Sequence, residues 1–406
     1  MLKRIPTDQL RLGMFLHELC GSWMDHPFWR AKFKLADPQD LRRLQDCGIK
    51  EVWIDTGKGL DVAAGAGLTQ EEVELQVELE LELAALAPLE LVSAEHEYKR
   101  AALVCDQARL KVQSLFGEAR MGQSLDAEGC VPIVEDIIGS VERNRGALIS
   151  LVRLKSADEY TYLHSVAVCT LMVSLARTLQ LPLHQVREAG LAGLLHDMGK
   201  ARIPLEVLNK PGRLTDAEFD LMKRHPVEGH KLLLQSPGAS AMALDVCLHH
   251  HEKMDGSGYP KRLKSEQISR YAKMGSVCDV YDAVTSARPY KGAWDPGEAI
   301  RQMAQWKGHF DPAIFQAFVK TVGIYPTGTL VKLQSGRLAV VLDQNEKSLL
   351  LPRVKAFYST KSMLPIEPEV IDLASPGCKD RLVGVESSEA WKFDHLDSLW
   401  MEEVGA

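Results

Sequence analysis

The chain has 406 residues, 46% hydrophobic and 25% charged, with a formal net charge of −7. That length supports two or three domains with buried cores, and no apolar run approaches the roughly 20 residues of a membrane helix. Mild acidity argues against a nucleic-acid polymer as the main partner, because proteins that bind one carry a basic face.

Eight cysteines (Cys20, Cys47, Cys105, Cys130, Cys169, Cys247, Cys278 and Cys378) form no C-x-x-C pair. They read as reduced thiols rather than as a disulfide framework or a zinc ribbon. MLKRIPTDQL has a positive start but no apolar stretch behind it, so no secretory signal is read there and the cytoplasm is the expected compartment.

Residues 1–65 read as a small mixed α/β domain. GMFLHEL and KEVWIDT have strand character, and DPQDLRRLQDCG reads as a helix stopped at Gly48. The aromatic WMDHPFWR is either a packing corner or a docking surface. Residues 66–92 are an acidic linker: EEVELQVELELELAALAP alternates with period two, but its composition favours a solvated, partly helical segment. Residues 93–149 form a helical connector, suited to pairing in a homodimer or to leading into the next domain. Residues 150–322 stay helical between short Gly/Pro loops. Residues 323–406 are a β-rich extension, with TLVKL, RLAVVLDQ and SLLLPRVKAFY separated by the turn residues Gly336 and Asn345. The fold class is mainly α, a helical core with a small mixed N-terminal domain and a short β appendage.

Eight of the thirteen histidines fall between His164 and His251. His164 shares the apolar stripe of Val168, Leu171 and Leu175, where a histidine by itself is ordinarily a hydrogen-bonded core residue. AGLAGLLHDMGKARIP is more pointed: an apolar helix ends in His196 and Asp197, with Gly199 placed to cap it. A carboxylate at the end of a buried helix is costly unless it is paired or metal-bound. Adjacent residues on a helix diverge by about 100°, so these two can bind on two sides of one metal or reach two neighbouring ions with the carboxylate bridging. Lys200 follows, placed to meet a phosphate. His225 precedes a proline, the stretch HHHEKMDGSGYP holds His249, His250 and His251, and Asp279 and Asp282 lie three apart on one helical face. Imidazoles and carboxylates drawn from five helices or loops are what a metal site requires.

The order H…HD-x-GK…H…HH-x-E-x-x-DGSGYP…D-x-x-D-A resembles the HD-GYP family of metal-dependent phosphodiesterases, a branch of the HD phosphohydrolases, from Asp158 to about Phe318. GMFLHELCGSWMDHPF and VWIDTGKG resemble an uncharacterised domain often found ahead of HD-GYP. The resemblance implies a site of two divalent metals (Fe, Mn, Ni or Zn). His164, His196, Asp197 and Asp279 match one ligand set, while His225, His250 and His251 match the other, with Asp197 bridging. His249 is the extra imidazole. Lys200, Arg288 and Lys291 match phosphate-gripping positions, and Asp282 and Asp158 match polar positions near the site, Asp282 counted with the substrate-binding residues. Gly258, Tyr259 and Pro260 match the loop that walls the pocket and is a surface for partners such as diguanylate cyclases.

The implied activity is hydrolysis of cyclic di-GMP, a bacterial messenger tied to biofilm formation and motility, to linear pGpG and slowly to GMP by a metal-bridging hydroxide. Two rivals are a phosphohydrolase acting on an ordinary nucleotide and a binding or interaction module without catalysis. The DGSGYP and ARPYK segments argue against the first, and the filled ligand positions against the second. Some members bind a third metal through a glutamate four residues before the first histidine. Here that position is Tyr160, with Glu159 turned away, so two metals are expected.

Overall fold

The computed structural model describes residues 1–20, 32–47, 49–62, 67–73, 97–153, 160–210, 212–286, 293–345, 348–393 and 396–401. WMDHPFWR and most of the acidic linker lie outside these residues. At the N-terminus β1 (Leu2–Pro6), β2 (Phe15–Cys20), β3 (Phe33–Lys34), α1 (Pro38–Asp46), β4 (Glu51–Asp55) and β5 (Leu68–Thr69) build one small unit. The strands form an antiparallel sheet in the order β3-β2-β4-β1-β5, so the sheet takes in residues beyond 65. Asp37 starts α1 by accepting from the Gln39 amide at 2.8 Å, with Pro38 in the first turn.

Alternation along these strands gives the sheet two apolar faces. Ile5, Leu16, Val52 and Ile54 close a core with Leu44 of α1. Trp53, from the opposite face, is buried in the main helical core, and the neighbouring Arg4 donates to the Gln305 carbonyl at 3.4 Å.

That helical core contains α2 (Tyr98–Arg120), α3 (Val131–Arg143), α4 (Arg145–Arg153), α5 (Tyr160–Thr178), α6 (Leu183–Leu195), α7 (Leu205–Leu208), α8 (Asp216–Met222), α9 (His225–Leu234), α10 (Ala241–His249), α11 (Arg270–Thr285), α12 (Pro296–Ala304) and α13 (Pro312–Val322). Val112 and Phe116 of α2, Ile137 of α3 and Leu148 of α4 share one apolar cluster with Val168 of α5, Leu194 of α6 and Phe318 of α13. The segment read as a connector is therefore packed into the same core as the helices that follow it. Among the described residues no helix is long and apolar enough to cross a membrane.

The chain closes with β6 (Leu330–Leu333), β7 (Arg337–Asp343), β8 (Arg353–Ser359), β9 (Leu364–Asp372) and β10 (Leu382–Val385), antiparallel in the order β10-β6-β7-β8-β9, then two short helices, α14 (Ser388–Trp391) and α15 (Asp397–Met401). Both faces of the inner strands are covered: Val331, Ala339 and Val341 on one side, Leu330, Leu338 and Val340 with Trp400 on the other.

Candidate metal centre

Five elements deliver the imidazoles and carboxylates to one buried point. His164 lies in the second turn of α5. At the end of α6 His196 is still helical, whereas Asp197 leaves the helix (φ −103°, ψ 8°) and opens a 3-10 turn over Met198–Arg202. His225 is the first residue of α9, with Pro226 fixing that turn. Ser240 caps α10, accepting from the Ala243 amide at 3.1 Å, and His250 and His251 follow its last turn. Ser269 caps α11, which presents Asp279 and Asp282 to His164. All of these site side chains are buried.

Asp197 stands between two groups of histidines. Its Oδ2 lies 3.3 Å from Nε2 of both His164 and His196, and its Oδ1 lies 3.2 Å from His225 Nε2 and 3.9 Å from His250 Nε2. Asp279 Oδ1 is 3.0 Å from His164 Nε2, and its Oδ2 is 3.6 Å from His251 Nδ1. Three ligand-rich groups result: His164 with His196 and Asp279; His196 with Asp197 and His250; and His225 with His250 and His251. Within each group the donor atoms lie within 4.8 Å of one another. His196 Nε2 and Asp197 Oδ1 are buried without a hydrogen bond. Such orphaned atoms cost about 1–3 kcal/mol each, and a cation between them would satisfy both, so the residues fit a metal.

Hydrogen bonds behind the rings fix the tautomers. Carbonyl oxygens accept from Nδ1 of His196 (Gly193, 2.8 Å), His225 (Met222, 2.8 Å) and His250 (Val246, 3.0 Å). Nδ1 therefore carries the proton in each ring, and the Nε2 lone pair faces the centre. Burial holds His225 down at about 3 and His250 at about 4, so both imidazoles are neutral, as ligands must be. Burial disfavours charge on His164 too, but Asp197, Asp279 and Asp282 outweigh it and raise its pKa to about 9. Burial also opposes charge on Asp197 and Asp279. For Asp197, Lys200 and the histidines reverse that penalty; for Asp279, His164 and its neighbours do so, and both carboxyls sit well below the usual range.

Other expected site residues take different places. Asp282 Oδ2 is 2.6 Å from His164 Nδ1, behind the ring. A carboxylate there orients a ligand histidine. Asp282→Ala should lower metal affinity by about 10- to 100-fold without unfolding the protein, as read by competition with a chelator. Lys200 Nζ donates to Asp197 Oδ2. Gly199 does not cap α6 in a left-handed turn; it lies in the 3-10 turn, against the start of α9. His249 is outside the cluster, its Nδ1 2.8 Å from Asp245 Oδ1. Arg288, Lys291, Asp158 and Glu159 lie outside the described residues.

Gly258 packs directly on the backbone of His251, since a Cβ there would lie 2.5 Å from the His251 carbonyl oxygen. Tyr259 stacks on His251 with ring centroids 4.7 Å apart, and the Tyr259–Pro260 peptide is cis. One residue of the motif had no role in the sequence reading: the Glu252 carboxylate is fully buried and accepts the Lys261 and Leu263 amides. Its only sequence signal was its position between the ligand pair and the rigid loop.

A helical core with an HD doublet at the end of one helix and a split His/Asp cluster around it defines an HD-type phosphohydrolase. Residues 141–314 match the HD domain, and residues 2–130 match a domain of unknown function, DUF3391. A cyclic di-GMP phosphodiesterase of Pseudomonas aeruginosa is 56% identical over 98% of this chain and 96% of its own. A cyclic di-GMP phosphodiesterase response regulator of Xanthomonas campestris is 44% identical over 36% of this chain and 39% of its own. A cyclic di-GMP phosphodiesterase of Vibrio cholerae is 45% identical over 31% and 27%. The chain belongs to the HD-GYP family of cyclic di-GMP phosphodiesterases, with DUF3391 ahead of the HD domain.

Proposed function

We propose that this chain hydrolyses cyclic di-GMP in the cytoplasm, giving mainly linear pGpG and slowly GMP, and so lowers a messenger tied to biofilm formation and motility. The observation that supports this most is the split carboxylate of Asp197, with one oxygen toward His164 and His196 and the other toward His225 and His250. It divides the donors into the sets that two divalent ions need: His164, His196, Asp197 and Asp279, then His225, His250 and His251 with Asp197 shared. Mixed imidazole and carboxylate donors suit Fe, Mn, Ni or Zn. Two such ions, when bound, would supply an acidified water for in-line attack on phosphorus and positive charge against the phosphoryl oxygens.

The chain's own groups orient and bind. Carbonyls and Asp282 hold the imidazoles from behind, while Gly258, Tyr259 and Pro260 form one wall. Lys200, Arg288 and Lys291 are assigned to the substrate's phosphates. Tyr160 in place of a carboxylate sets the count at two ions. We assign catalysis to residues 150–322, partner contacts such as diguanylate cyclases to the Gly-Tyr-Pro loop, and to residues 93–149 either homodimer pairing or the lead into the catalytic helices.

Lys200→Ala tests the phosphate assignment. It should lower kcat/KM by about 10- to 100-fold, the scale of one charge-assisted hydrogen bond, with metal content unchanged. Loss of metal from this variant would place Lys200 with the ligands instead.

A further inference from the structure

We propose that Glu252 is a positioning residue for the reaction: its buried carboxylate closes the 253–263 loop so that the Tyr259 ring lies on His251. The proposal rests on the phosphodiesterase reading above. Glu252 is fully buried directly after the ligand pair, and its own amide donates to the His249 carbonyl at 2.9 Å, which fixes its backbone to the end of α10. Oε1 accepts from the Lys261 amide at 2.6 Å and Oε2 from the Leu263 amide at 2.9 Å. Arg262, between those two amides, has φ 55°, a left-handed backbone that L residues rarely adopt. That conformation turns both flanking N–H groups toward one anion, a nest, and here the anion is the protein's own carboxylate.

The chain from 252 to 263 is thus a closed ring with its two ends joined at Glu252. Within it the Tyr259 amide donates to the His251 carbonyl at 3.2 Å, Gly258 packs on the same backbone, and the tyrosine ring stacks on the imidazole. Asp255 ties the outer side of the ring, its amide donating to the Gly308 carbonyl at 3.0 Å. The Glu252 carboxylate bonds the Lys261 and Leu263 amides rather than a metal-facing atom, so it acts through the loop that carries Tyr259.

Glu252→Gln keeps the size but turns an N–H₂ group toward an amide N–H, so one of the two bonds is lost. In the wild-type protein the Lys261 and Leu263 amides should be the slowly exchanging ones of the loop, and in Glu252→Gln both should exchange faster. On cyclic di-GMP, Glu252→Gln and Tyr259→Ala should each lower kcat by about tenfold, and the double variant by no more than the worse single one. Fast exchange of these amides in the wild type, or fully additive losses in the double variant, would overturn the proposal. An inactive wild-type protein would instead count against the cyclic di-GMP reading, and the exchange rates would still decide the role of Glu252.

Discussion

Asp197→Asn should abolish hydrolysis, lowering kcat by about 10³-fold or more, the scale of losing a group that organises charge at the reacting centre. The amide preserves the shape of the side chain, so α6 and the 3-10 turn after it keep their packing. What it removes is the negative charge between His164 and His196 on one side and His225 and His250 on the other. On the proposed two-ion site a neutral amide would not hold both cations, so at least one metal should be lost as well. Metal analysis and a kinetic assay on the same preparation check both consequences. A variant that keeps both metals and most of its activity would show that Asp197 does not bridge.

Gly199→Ala strikes the same centre through packing. A Cβ at this position would lie 1.9 Å from the His225 carbonyl oxygen and 2.4 Å from the Gly229 amide nitrogen, both in the backbone of α9. Backbone cannot swing aside as a side chain does, so α9 must shift away from the turn that carries Asp197. Overpacking of this kind costs about 1–3 kcal/mol or more, and His225, the first residue of α9, moves with the helix. A lower Tm together with weaker binding on the His225 side is the expected result, and unchanged stability with full metal content would contradict it.

Much of the centre was legible because its chemistry is written in residue types that are costly to bury. His196 and Asp197 at an apolar helix end, and His250 and His251 before a rigid loop, have no bland explanation together. Spacing could not say which of two carboxylates faces the histidine Nε2 atoms. Asp279 and Asp282 share a helical face, yet one lies among the ligand atoms and the other behind His164. Gly199 reads as a helix cap from local sequence, whereas its real neighbour is α9, a contact between residues far apart in the chain. Glu252 went unread for the same reason, since its partners lie nine and eleven residues away within a loop.

The flanking sheets divide in the same manner. β2, β4 and β6–β8 carry short apolar or alternating runs between turn residues and were expected, as was α1 with its Asp-Pro start. The edge strand β9, LPIEPEVID, is mostly exposed and holds two prolines, so neither hydrophobic period nor β propensity marks it. That helices 98–153 join the main core follows from contacts such as Phe116 with the catalytic helices, which no local pattern announces.

The most direct test of the account is stepwise reloading of metal-stripped protein with one defined divalent ion, reading the product formed from cyclic di-GMP at each step. Without metal there should be no turnover, activity should reach its maximum at two ions per chain, and linear pGpG should be the main product with slow conversion to GMP. Turnover by the metal-free protein, or a fully loaded protein that binds cyclic di-GMP and leaves it intact, would contradict it.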